Sequence, residues 1–176
     1  KKKAVFIINL ISGTSSKAGV PNLIEQTLDK EKFDYEIAIT EYAGHASEIA
    51  SRAKDNGVDV VVAVGGDGTV NEVARAIVHS NTALGIMPCG SGNGLARHLL
   101  LPMNLRKSIE IINQCEIHDL DYGIINGYPF FCTCGMGIVG LTGLAPCITV
   151  DINPEDGKFK SGKIHAFRQQ YMAGPK

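Results

Sequence analysis

A cluster of glycines around one carboxylate is the part of this chain best suited to chemistry. Residues 65–69 read Gly-Gly-Asp-Gly-Thr, and they follow Val58–Val64, which is almost entirely aliphatic. A buried strand that leads into a glycine-rich turn and a helix is how α/β proteins bind phosphate. Glycine lets the backbone approach the anion, and the first N–H groups of the helix point at it. Asp67 adds a negative charge here, so we expect either a cation between the carboxylate and the phosphate or a hydroxyl that the carboxylate contacts.

A second glycine-rich loop follows the next apolar run. Leu84–Met87 is succeeded by Pro88–Asn93, which reads Pro-Cys-Gly-Ser-Gly-Asn. Asn9 and Thr40 also stand directly after apolar runs. Because the carboxyl ends of parallel strands share one edge of a sheet, we expect all these residues to gather at that edge.

The elements that must position these loops alternate between strand and helix patterns. Strands are predicted at 4–8, 35–40, 58–64 and 84–87, and helices around 20–28, 46–53, 69–78, 95–100 and 105–112. The sequence Thr69-Val-Asn-Glu72 predicts a capping box, with Thr69 as the N-cap and Glu72 at N3. The alternation predicts an α/β domain over residues 1–115, a Rossmann-like parallel sheet with helices on both faces.

The pattern changes near residue 116. Two strand-like runs flank Asn126-Gly127, a dipeptide typical of hairpin turns. A hairpin after a parallel array predicts the start of a second, β-rich domain over residues 116–176. The residues beyond Gly135 are too few to complete a β domain, so this domain is predicted to be partial, either truncated or with internal segments missing.

Composition indicates a cytoplasmic protein and argues against bulk nucleic-acid binding. The net charge is −1, and apolar residues make up 44% of the chain. The five cysteines are odd in number and contain no Cys-x-x-Cys pair, which favours reduced thiols over a disulfide framework or a zinc site. No apolar run reaches the roughly 18 residues that a membrane span requires.

Three stretches taken together, Thr40–Ala46, Gly65–Val73 and Pro88–Arg97, resemble the catalytic domain of the diacylglycerol kinase family. The resemblance spans roughly residues 4–135. It implies ATP-dependent phosphorylation of a lipid hydroxyl, such as that of diacylglycerol, with Mg²⁺ and with peripheral contact at a membrane surface. It also implies a nucleotide-binding α/β domain, a β-sandwich domain after it, and an active site in the cleft between them.

The resemblance also implies a set of nucleotide-binding residues in the loops described above. They are Asn9, Ser12, Gly13, Thr40, Gly65, Gly66, Asp67, Gly68, Thr69, Glu72, Gly90, Ser91, Gly92 and Asn93. Asp67 is the first-choice catalytic carboxylate, either orienting the acceptor hydroxyl or holding metal through water. Leu10 stands where the family has proline, and Gly94 stands where it has aspartate, which removes one polar contact.

Several aspartates outside these loops are also candidates for a role in the site. Asp119 and Asp121 are interpreted as surface carboxylates rather than metal ligands, and the metal ligands and the general base stay unassigned. Asp156-Gly157 matches an Asp-Gly element found late in the family over only two residues.

Two other functions stay open. The first is a kinase of a soluble substrate, similar to NAD kinase, which also uses Gly-Gly-Asp-Gly. The second is a catalytically inactive nucleotide-binding module. The identity of the lipid and the oligomeric state are not set by the sequence, and a homodimer stays open.

Overall fold

A mixed sheet of seven strands organises the part of the chain that the computed structural model describes, residues 1–10, 17–125, 127–131 and 160–167. The strands are β1 (Lys2–Ile8), β2 (Phe33–Ile39), β3 (Val60–Gly65), β4 (Ala83–Pro88), β5 (Ile117–Ile125), β6 (Tyr128–Phe130) and β7 (Lys160–Phe167). The helices are α1 (Val20–Thr27), α2 (His45–Asp55), α3 (Asp67–Ile77), α4 (Gly94–His98) and α5 (Leu105–Asn113). The strand order is β2-β1-β3-β4-β7-β5-β6.

The first four strands form the predicted parallel array. β1 pairs in parallel with β2 and β3, and β3 pairs in parallel with β4. Every residue of β3 and β4 is buried, which explains why their sequences are continuous apolar runs and not alternating ones. The helices form two packed groups, α1 with α5 and α2 with α3. The α/β fold with helices on both faces is confirmed.

The helix assignments are confirmed, but the capping box at α3 is wrong. The helix begins at Asp67, and its N-cap is Gly66 in an extended conformation without a side-chain cap. Thr69 therefore lies inside the first turn, where its buried hydroxyl accepts a hydrogen bond from Asn9 Nδ2 at 3.2 Å. Glu72 accepts from the Gly44 N–H at 3.2 Å. Because α3 begins two residues earlier than predicted, neither side chain caps the helix, and both contact residues far away in the sequence.

The predicted hairpin is present and is continuous with the parallel sheet. β5 and β6 pair antiparallel around Gly127, which has a φ of +82°. β7, which the sequence did not predict, lies antiparallel to β5 and parallel to β4. The strands before and after residue 115 therefore belong to one hydrogen-bonded sheet. The division into two domains at that residue stays a prediction. Ser12, Gly13, Cys132, Cys134, Cys147 and Asp156-Gly157 lie outside the described residues.

Candidate functional site

The loops that follow the first four strands meet at one edge of the sheet, as predicted. The Asn9 N–H donates to Val64 O at 3.1 Å, which ties the end of β1 to the end of β3. The Cys89 N–H donates to Gly65 O at 2.8 Å and ties β4 to β3 in the same way. Thr40 is buried, and its N–H bonds to the last residue of β1. The parallel topology thus brings the candidate residues of four separate loops together.

The two glycine-rich loops touch each other at Gly66 and Gly90. A Cβ atom built on Gly90 would lie 2.5 Å from Gly66 Cα, and one built on Gly66 would lie 3.2 Å from Gly90 Cα. Because the closer of these distances cannot be accommodated without moving the backbone, Gly90 in particular must lack a side chain. By contrast, nothing lies within 4 Å of a Cβ built on Gly68. Gly90 is therefore needed for the contact between the two loops, whereas Gly68 is not needed for packing.

The carboxylate of Asp67 spans the gap between the two loops. Asp67 Oδ1 accepts a hydrogen bond from the Gly94 N–H at 2.6 Å. A Cβ on Gly92 would lie only 2.7 Å from Asp67 Oδ2. An acidic side chain in the first turn of α3 is also favoured by the positive end of the helix dipole. The carboxylate is half-buried and fixed in position, with one oxygen bonded to the second loop.

Asn93 closes the second loop onto itself. Its buried side chain accepts from the Gly90 N–H at 2.9 Å and donates to Gly90 O at 2.6 Å. Its backbone is left-handed, with a φ of +53°, a conformation that asparagine tolerates better than most residues. The Gly90 N–H is therefore already used within the loop. Ser91 and Gly92, which are exposed, are the residues of this loop that face outward from the closed turn.

Glu72 and Asn9 contact other site residues. The Glu72 carboxylate holds the N–H of Gly44, which has a φ of +91°, and so fixes the connection that follows Thr40. The Asn9 amide holds the Thr69 hydroxyl. In this structure both side chains therefore connect one loop to another.

Lys17 is a site residue that the sequence analysis missed. It is buried, with 4% of its surface exposed, and its ammonium donates to the backbone carbonyl of Asn9. Burial lowers the pKa of Lys17 below its ordinary value, although the neighbouring Cys89 opposes this shift. Burial likewise raises the pKa of the Cys89 thiol. A buried lysine thus brings a cation to the edge where phosphate binding was predicted. In the sequence, the only local indication of a cation here is the single lysine that ends the serine-rich segment after β1.

The remaining acidic candidates lie elsewhere. Asp119 on β5 pairs with His165 on β7 at 2.9 Å, and both side chains are about half exposed. Asp121 is exposed on the same strand. Within the described residues, no three His, Cys, Asp or Glu side chains are grouped as a metal site. Among the described residues, Asp67 is the carboxylate that lies between the two glycine-rich loops.

The site can therefore offer an anion several kinds of contact. The first N–H groups of α3 have no partner within the helix, and α3 begins directly at the turn. The exposed glycine-rich loop faces them, a buried ammonium lies nearby, and one carboxylate stands between the loops. Such a set suits a polyphosphate with a divalent cation, because Mg²⁺ keeps most of its waters and binds through one or two carboxylates plus phosphate oxygens.

Comparison with known proteins identifies the family. A family model described as the diacylglycerol kinase catalytic domain matches residues 3–125. A diacylglycerol kinase of Staphylococcus saprophyticus is 34% identical over 133 residues, which cover 74% of this chain and 43% of that protein. A diacylglycerol kinase of Staphylococcus aureus is 32% identical over 133 residues, covering 74% of this chain and 42% of the relative. The chain thus spans less than half the length of these curated relatives.

A solved structure has the same fold over most of this chain. The crystal structure of a diacylglycerol kinase from Bacillus anthracis superposes with a TM-score of 0.63 at 24% identity, over 73% of this chain and 44% of that one. Within the described part of the chain, every helix is too short or too polar to cross a lipid bilayer. From the match over residues 3–125 and these relatives, the chain belongs to the diacylglycerol kinase catalytic domain family.

Proposed function

We propose that this chain is the nucleotide-binding part of an ATP-dependent lipid kinase, which transfers the γ-phosphate of ATP to the hydroxyl of a lipid such as diacylglycerol. The observation that carries the proposal is the meeting of the two glycine-rich loops at Gly66 and Gly90, with the Asp67 carboxylate fixed between them. The names of the relatives support the substrate class.

The loops would bind the phosphates of ATP. The start of α3 and the exposed residues Ser91 and Gly92 supply backbone donors, which stabilise phosphate oxygens without covalent chemistry. The Lys17 ammonium adds a fixed positive charge close to Asn9. Its burial makes its attraction to an anion stronger than that of a lysine in water.

Asp67 would serve the transfer step. Its Oδ1 is occupied by the Gly94 N–H, which leaves Oδ2 for a water of a bound Mg²⁺ or for the acceptor hydroxyl. Mg²⁺ supplies charge neutralisation on the phosphate oxygens. In the transfer, the lipid oxygen forms a bond to the γ-phosphorus, the bond from that phosphorus to the bridging oxygen breaks, and the hydroxyl proton passes to a base.

The place of action follows from the substrate. A lipid alcohol resides in a bilayer, so we propose a cytoplasmic protein that contacts the membrane surface peripherally. We also propose nucleotide contacts for Thr40 and Gly68, which lie at the same edge of the sheet. The other nucleotide-binding residues that the family resemblance implies stay predictions.

The test uses full-length protein with labelled ATP and Mg²⁺, presented with mixed micelles of several lipid alcohols and with NAD⁺ as a soluble acceptor. Asp67→Asn removes the charge but keeps the shape, and we expect kcat/KM to fall about a thousandfold. Asp34→Asn is the matched control. Asp34 is an exposed aspartate near the start of β2, whereas the candidate site lies at the carboxyl ends of the strands.

The outcomes separate the three functions. Label in a lipid, lost in Asp67→Asn and kept in Asp34→Asn, supports the lipid kinase. Label in NAD⁺ alone would overturn it in favour of a soluble-substrate kinase. ATP binding without transfer to any acceptor would favour the inactive module.

A further inference from the structure

The connection between α4 and α5 displays apolar side chains to solvent. We call residues 97–107 the docking segment. Within it, Leu99 and Leu101 are buried, with 3% and 5% of their surfaces exposed, whereas Leu100 and Met103 are exposed by 40% and 38%. Two exposed large apolar side chains three residues apart make this segment a candidate interaction surface.

The backbone holds Leu100 outward in an unfavourable conformation. Leu100 has a φ of +59°, in the left-handed region that a branched residue rarely adopts. The Leu100 N–H donates to Arg97 O at 3.0 Å, and the Leu101 N–H donates to Ala96 O at 2.8 Å. These bonds and the two buried leucines fix the turn. The same left-handed conformation occurs at His79 after α3 and at Cys115 after α5, so it belongs to the way these helices end. Glycine would take this conformation without strain.

Basic side chains flank the exposed apolar ones in the sequence. Arg97, His98, Arg106 and Lys107 are all exposed, and the first acidic residue after Arg97 is Glu110, which is exposed one turn further along α5. None of these four forms an ion pair with another described residue. The chain as a whole has a net charge of −1, so this concentration of positive charge is local. Its complement is a surface that is both negatively charged and able to accept apolar side chains.

The docking segment is contiguous with the candidate site. Met103 Sδ lies 3.8 Å from Asn93 Nδ2, and Arg97 Nε donates to Gly92 O at 2.9 Å. A surface that contacts the segment would therefore lie next to the loop proposed to bind phosphate. That is the arrangement required when the acceptor hydroxyl sits at a lipid–water interface.

We propose that the docking segment binds the anionic surface of a membrane, with Leu100 inserted between lipids, Met103 lying at their boundary beside Asn93, and Arg106 and Lys107 against the headgroups. This inference rests on the proposed function for its purpose, although the binding itself needs no catalysis. Basic residues near an anionic bilayer and apolar side chains at its boundary add their contributions.

The test measures binding of full-length protein to vesicles by co-sedimentation, without nucleotide. Vesicles of phosphatidylcholine alone are compared with vesicles that also contain phosphatidylglycerol. Leu100→Gly removes the apolar side chain and suits the left-handed backbone, so the variant should fold at least as well as the parent. We expect it to weaken binding about tenfold. Arg106→Gln and Lys107→Gln should each weaken binding about fivefold, only on the anionic vesicles.

Tyr128→Ser is the control, because Tyr128 is an exposed apolar residue on β6, the outermost strand next to β5. It should bind vesicles like the parent. Binding by Leu100→Gly and by the two glutamine variants that equals the parent's would overturn the proposal. A change of oligomeric state in Leu100→Gly, seen by light scattering, with vesicle binding unchanged, would also overturn it and assign the surface to a second copy of the chain.

Activity measurements separate this proposal from the proposed function. If both hold, Leu100→Gly should lose activity toward diacylglycerol in vesicles and keep it toward a short-chain diacylglycerol dissolved as monomers. If the protein transfers no phosphate at all but the variants still weaken vesicle binding as expected, the docking segment stands and the kinase assignment fails.

Discussion

The turn at Gly65–Thr69 and the loop at Pro88–Asn93 both follow buried parallel strands, yet they are held in shape by different means. The first is shaped by the start of α3, and its side chains reach outward to partners in other loops. The second is shaped from within, because the Asn93 side chain bonds both backbone groups of Gly90. The first loop supplies the carboxylate, and the second supplies the N–H of Gly94 that fixes it.

This difference shows that a shared glycine-rich composition does not mean a shared role. Gly90 is required for the close approach of two backbones, whereas Gly68 has open space around its Cα atom. Neither requirement can be recognised from the local sequence, since both are glycines next to a polar residue. Substitutions should therefore give effects of different size and even of opposite sign at Gly90 and Gly68.

The largest effect on stability is expected for Gly90→Ala. Its Cβ would lie 2.5 Å from Gly66 Cα and 3.0 Å from Asn93 Oδ1, so the two loops must separate. Overpacking of this kind lowers the free energy of unfolding by about 3 kcal/mol, and urea denaturation would measure it. ATP binding should weaken with it. A variant as stable as the parent would mean that the loops do not approach each other as described.

A smaller effect is expected at Asn93, where two variants separate two causes. Asn93→Gly loses the side-chain hydrogen bonds but suits the φ of +53°, and should cost about 1–2 kcal/mol. Asn93→Ala loses the same bonds and must also adopt a left-handed conformation, which adds about 1 kcal/mol. Urea denaturation of both proteins gives the difference. Equal stabilities would show that the left-handed backbone is not maintained in the parent.

The smallest effect, of opposite sign, is expected for Gly68→Ala. Gly68 is the second residue of α3, and its added Cβ would meet nothing within 4 Å. Alanine loses less backbone entropy on folding, so the free energy of unfolding should rise by about 0.5–1 kcal/mol. Thermal unfolding would detect this as a higher Tm. A lower Tm than that of the parent would mean that the surroundings of Gly68 are as closely packed as those of Gly90.

The sequence was sufficient for the parallel half of the fold because its signals are local. Apolar runs predicted the first four strands, and the buried face of α2 is the set predicted from its spacing, Ala46, Ile49, Ala50 and Ala53. The gathering of the loops followed from parallel topology alone.

The features that were missed depend on residues far apart in the chain. Glu72 was predicted to cap its own helix, but it bonds Gly44, 28 residues away. The burial of Lys17 depends on how the ends of several strands come together. β7 has a sequence with several polar residues, and its place between β4 and β5 is set by pairing with both. Local periodicity carries no information on any of these partners.

If the two glycine-rich loops form one nucleotide site, both must respond to ATP together, and an NMR titration measures this. Isotope-labelled full-length protein would be titrated with ATP and Mg²⁺ while the amide signals of Gly68, Gly92 and Asp34 are followed. We expect the signals of Gly68 and Gly92 to shift along one binding curve with the same Kd, and the signal of Asp34, near the start of β2, to stay unshifted. Shifts confined to one loop, or separate Kd values for the two loops, would contradict a single nucleotide site.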